Sequence, residues 1–178
     1  MKAANEAGFS LVESLVSLGI LSFGLLAVAA AFLHGATQLS GSHLDVVARE
    51  KAAEAIESVF TSRDTRTVQW AQIRNVAGED GAAGGIFRDG ALPLARSGPD
   101  GLINTADDLA ELESLSAPGP DGLLGTADDA SRPLSEFTRE VVIRDVSLTL
   151  RRLTVIIRYR IGNLAREYTI STLISSYA

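Results

Sequence analysis

Three hydrophobic periods divide the chain. From Phe9 to Leu33 apolar residues run almost without interruption, 25 residues among which Glu13 is the only charged one. A helix of that length rises ~37 Å, enough to cross a hydrocarbon core of ~30 Å. After the polar stretch HGATQLSGSH, Leu44, Val47, Ala48, Ala52, Ala55, Ile56, Val59 and Phe60 recur at helical spacing. Asp45, Arg49, Glu50, Glu54 and Glu57 take the other face. Together the two patterns predict one helix from about Phe9 to Phe60, loosened between His34 and Ser42. Gly35 and Gly41 lie in or beside that stretch, and a glycine inside a helix costs up to ~1 kcal/mol relative to alanine.

From Phe137 onward the period is two. EVVIRDVSLTL, RLTVIIRYRI and REYTISTLIS are rich in β-branched residues. Leu153, Val155, Ile157 and Tyr159 share one face of the second segment, and Tyr168, Ile170, Thr172 and Ile174 one face of the third. IGNLA between them reads as a hairpin turn through Gly162 and Asn163. The expected fold class is α+β: a long N-terminal helix, half membrane-spanning and half amphipathic, packed on a C-terminal antiparallel sheet over residues 136–176.

Between these elements the chain is punctuated by glycine. Residues 78–98 contain six glycines and one proline and predict an irregular, partly mobile surface loop, with Trp70 and Ile73 packing just before it. An internal repeat follows, GPDGLINTADD at 98–108 and GPDGLLGTADD at 119–129, differing only at Ile103/Leu124 and Asn104/Gly125. Pro-Asp-Gly is a turn signal, because proline presets φ and glycine accepts a positive one. Each copy ends in Thr-x-x-Asp, Thr105 with Asp108 and Thr126 with Asp129, the spacing of a helix cap. After the first copy Leu109, Leu112 and Leu115 predict a short helix; after the second, Pro133 argues against one.

Charge changes this picture in one place. Residues 98–129 hold eight of the 22 acidic side chains and none of the 16 Lys and Arg, so the net charge of −6 comes from this region. The rest shows no basic stripe of the kind nucleic acid requires. Arg151, Arg152, Arg158 and Arg160 are expected to face outward from a strand. Three carboxylates, a hydroxyl and nearby carbonyls per loop are the oxygen donors a hard cation takes. Ca²⁺ is therefore an expectation for one or both loops, with Asp100, Asp107 and Asp108, and Asp121, Asp128 and Asp129, as ligands; solvated acidic turns explain the same residues. With no cysteine, a disulfide, thiolate metal site or cysteine nucleophile is excluded. No G-x-S-x-G or P-loop occurs, and His34 and His43 sit on the helix away from the globular part, so an enzyme is not expected.

Glu13 remains to be explained. A carboxylate within a membrane span costs ~2.5–3.5 kcal/mol on insertion scales and is a functional candidate. The apolar run offers it no cation, so a partner must come from another molecule or from a newly made terminus. Gly8-Phe9-Ser10-Leu11-Val12-Glu13, followed by the apolar run, resembles the N-terminal signal of type IV prepilins and pseudopilins. A secretory signal peptide fits less well, because its apolar region is usually ~7–15 residues and its flank basic.

The resemblance implies that prepilin peptidase cuts after Gly8, that Phe9 becomes the N-methylated terminus, and that Glu13 pairs with the terminal amine of a neighbouring subunit in a filament. It implies a leader at 1–8, a transmembrane and filament-core helix at 9–34, an amphipathic helix half at 35–62 and a globular head at 63–178. The leader MKAANEAG, with Lys2 against Glu6, is less basic than those of the family. Within the family, GFSLVESLVSLGILSFGLLAVAA with AREKAAEAIESV is most similar to minor pilins of the PilV type, the type IV pilus modification proteins. A minor pseudopilin of type II secretion begins similarly. The partners implied are other pilins through the helix, prepilin peptidase, an inner-membrane assembly platform and, before assembly, membrane lipid. The location implied is the bacterial inner membrane, then a periplasmic or extracellular filament. A membrane-tethered calcium-binding or adhesive domain is the alternative of another class.

Overall fold

Helix α1 spans Leu11–Asp64. The structure is a computed structural model that describes residues 10–78 and 83–177, and of residues 37–42 the backbone only. It divides into two units, residues 1–43 and 44–178. In the first, Leu11–Ala36 is long and apolar enough to cross a membrane, with a mean hydropathy of 2.3 and no buried residue. The backbone of residues 34–42 is helical.

The second unit is built on the amphipathic half of α1. Val47, Ala48, Ala52, Ala55 and Val59 are buried and form one core with the sheet. The three alanines of this stripe are fully buried. The main sheet contains β1 (Leu92–Pro93), β4 (Thr138–Ser147), β5 (Leu150–Ile161) and β6 (Leu164–Ser175), antiparallel in the order β1-β4-β5-β6. A second sheet pairs β2 (Ser114–Ala117) with β3 (Ala130–Pro133). Register places Val141, Val155 and Ile170 side by side, which aligns the inward faces expected from period two. Gly162, at φ 59°, makes the two-residue turn from β5 to β6. Tyr159 donates from its hydroxyl to Asp45 of α1 at 2.5 Å and stacks on Phe137.

Three expectations are corrected. Leu109, Leu112 and Leu115 line no helix: Leu112 bridges Ala95 and Leu115 lies in β2. Backbone bonds from Arg96 N to Glu111 O and from Glu113 N to Leu94 O hold this segment extended. The glycine-rich 78–98 segment is not all surface, since Phe87 and Leu94 are fully buried; its residues 79–82 lie outside the described residues. Arg151 faces inward rather than outward, 2% exposed. It donates to Asp145 Oδ1 at 2.7 Å and to the carbonyls of Trp70 and Ile73, and lies over the Trp70 ring. Its neighbour Leu153 and its own position share the inner parity of β5, and four partners offset the cost of burying the charge.

Candidate functional site

The first candidate site lies at the start of α1. Glu13 is in the first helical turn and exposed, where a carboxylate is favoured by the unpaired N–H groups of the helix end. Gly8 and Phe9, the expected cleavage and methylation positions, lie outside the described residues. Every large apolar side chain from Leu11 to Leu33 is more than half exposed, Phe23 reaching 78%. A surface of this extent and apolarity is far beyond the patches that water-soluble monomers present. Lipid or other helices must cover it.

The acidic repeats form the second candidate site. In both copies a Gly-Pro-Asp-Gly turn is closed by a backbone bond, Gly101 N to Gly98 O and Gly122 N to Gly119 O. The first Asp accepts from the residue two ahead, Leu102 N to Asp100 and Leu123 N to Asp121, each at 2.8 Å. The second Asp reaches back across the loop, accepting Asp100 N at Asp107 and Asp121 N at Asp128. The third accepts Asn104 N at Asp108 and Gly125 N at Asp129. Thr105 and Thr126 each donate to the second Asp at 2.6 Å. Both copies therefore adopt one geometry.

The glycines of the turn serve two needs. At Gly98 and Gly119 a Cβ would collide with Asp107 and Asp128, while Gly101 and Gly122 hold φ 71° and 72°. The Thr-x-x-Asp spacing thus closes a loop and caps no helix. Each copy is the connection of an antiparallel ribbon, the first between the Ala95 and Leu112 bridge positions and the second between β2 and β3.

Their surroundings differ. Leu102, Ile103, Asn104 and Thr105 of the first copy are buried, whereas Leu123 and Leu124 of the second are 63% and 65% exposed. Beneath the first copy lies Arg139, fully buried. Its Nε donates to Asn104 Oδ1 at 2.9 Å and its Nη1 pairs with Glu113 at 2.9 Å, while Asn104 Nδ2 donates back to the Arg139 carbonyl. Lys51 of α1 reaches the other Glu113 oxygen at 2.7 Å. The Thr105 hydroxyl holds the Asp107 carboxyl below its ordinary range, and Thr126 does the same for Asp128. Burial pushes Asp108 up, against the N–H groups of Asn104 and Thr105 and the charge of Arg139.

The structure brings the three expected ligands of each loop onto one short turn but engages them with that loop's own N–H and hydroxyl groups. Among the described residues no group of three or more His, Asp or Glu side chains is gathered so as to hold a metal ion. The Ca²⁺ expectation rests on its donor types alone. Sequence reasoning missed Arg139 and Arg151, whose strand parity was the available signal, and also the Arg63, Arg66 and Trp70 surface recess, which had no local signal.

Residues 3–29 match the family model described as the prokaryotic N-terminal methylation motif. That match supports a precursor of type IV pilin or pseudopilin type. No curated protein and no solved structure matches the chain.

Proposed function

We propose that the chain is the precursor of a minor pilin, a structural subunit of a type IV pilus. The observation that carries this reading is the methylation motif over residues 3–29 leading into an exposed apolar helix. Prepilin peptidase cuts after Gly8, Phe9 is N-methylated, and the helix leaves the inner membrane to pack among other pilins on an assembly platform. In that dry bundle Glu13 needs a cation, and the new Phe9 amine of a neighbour supplies it. Leaving either charge unpaired costs several kcal/mol. The head built on residues 44–178 is carried to the filament surface or its tip. The Ca²⁺ expectation is an accessory proposal, ordering one or both loops; a calorimetric titration without binding at millimolar Ca²⁺ ends it.

Glu13→Ala tests the assembly step. The variant is expected to be cut and to stay in the membrane, with little recovered from sheared filaments. Normal recovery in filaments would leave Glu13 without the proposed role; a simple membrane tether would be absent from filaments with or without Glu13.

A further inference from the structure

The two repeat copies share one set of internal bonds, yet only the first is docked. Leu102 and Ile103 are 1% and 4% exposed in the head's core, and the next residue, Asn104, accepts from the Arg139 guanidinium. The first copy thus shows within the molecule what this loop packs on: an apolar recess next to an arginine. The second presents its equivalent pair, Leu123 and Leu124, to solvent, flanked by Asp121, Asp128 and Asp129.

A surface of matching chemistry exists elsewhere on the head. At the C-terminal end of α1, Arg63, Arg66, Val68, Trp70 and Tyr177 line a recess of about 490 Å³, room for two leucine side chains. Tyr177 is 73% exposed. Arg63 is held by Asp64 and by the Ser175 carbonyl. Arg66 makes no ion pair among the described residues and stands at φ 58°, a conformation that glycine or asparagine adopts more easily at a helix end. Its charge is therefore available at the rim.

We propose that loop 119–129 of one head docks into this recess on a second copy of the chain, with Leu123 and Leu124 inside and the three aspartates against Arg63 and Arg66. Acid and base match across the contact: the loop belongs to the 98–129 region that has no Lys or Arg. Loop and recess are separate surfaces of the head, with no residue in common. A loop on one copy meeting a recess on the other is a heterologous contact; the joined pair retains a free recess on one copy and a free loop on the other, so that heads join in series. It concerns the heads alone and does not depend on N-terminal processing.

Because the chain has no cysteine, disulfide trapping has no background. Two differently tagged full-length copies are co-expressed in membranes, one carrying Leu124→Cys and the other Gln69→Cys at the recess, then mildly oxidised. A mixed dimer is expected, several-fold above that of Leu124→Cys with Thr169→Cys on the outer sheet face, and Arg66→Glu should reduce it. No excess over the Thr169→Cys control would overturn the proposal, as would trapping of Leu124→Cys by a different protein instead of the second copy.

Discussion

The two acidic loops are nearly the same sequence in the same conformation, and they do opposite things. In the first, residues 98–108, a buried Arg139 ties Asn104 to Glu113 and through it to Lys51 of α1. In the second, residues 119–129, the equivalent of Asn104 is Gly125, and Leu123 and Leu124 face solvent. Local bonds decide a loop's shape, whereas tertiary partners decide whether its apolar tip stabilises the head. Eleven residues of sequence therefore specify the turn but not its role.

The largest expected effect separates them at Arg139. Arg139→Met leaves Glu113 with Lys51 alone and the Asn104 Oδ1 without its donor, and is expected to cost about 3–5 kcal/mol, read from denaturation of the full chain in detergent by Trp70 fluorescence. A loss within the range of surface substitutions would mean that the first loop does not depend on the arginine. Next come the apolar tips. Leu102→Ala is expected to cost about 2–4 kcal/mol, and Leu123→Ala at the equivalent position less than ~0.5 kcal/mol in the isolated chain. Equal losses would erase the distinction between docked and undocked copies.

The smallest effect is electrostatic and sharpens the same contrast. Asp107 and Asp128 are both held below the ordinary carboxylate value by a threonine hydroxyl. Their contribution to stability is present above the unfolded value of ~3.9 and is lost as pH falls through the folded one. Asp108 is raised by burial, so it has the opposite sign: its cost at neutral pH is relieved as pH falls through its folded value. Carboxyl NMR should find Asp107 and Asp128 titrating together and Asp108 well above both. Thr105→Val should move Asp107 up and leave Asp128 in place; a common shift of both would show that the loops are not independent.

Much of the fold was legible because periodicity reports which face is buried. The stripe from Val47 to Val59 and the alternation of Leu153, Val155 and Ile157 are both realised in the core. The misreadings have physical causes. Arg139 and Arg151 occupy inward strand positions, but an arginine alone argues for solvent; only partners supplied by other segments, Glu113 for Arg139 and the Trp70 and Ile73 carbonyls beside Asp145 for Arg151, make burial tolerable. Leu109, Leu112 and Leu115 have helical spacing by chance, because pairing with residues 94–96 and, at Leu115, with β3 holds them extended. Phe87 and Leu94 are buried despite glycine-rich surroundings, since Phe87 pairs with Asn75 and Leu94 follows β1 on the sheet edge. The motif around Glu13 was legible at once, being local in sequence. What receives Leu123 and Leu124 was not, because it is no part of the loop itself.

The N-terminal peptide of the chain, recovered from membranes that contain prepilin peptidase, gives the most direct test by mass spectrometry. The expected result is a peptide that begins at Phe9 and carries one added methyl group on its amine, with residues 1–8 gone. A chain still bearing residues 1–8, or one cut at any other bond, would contradict a pilin precursor whose Glu13 awaits the amine of its neighbour.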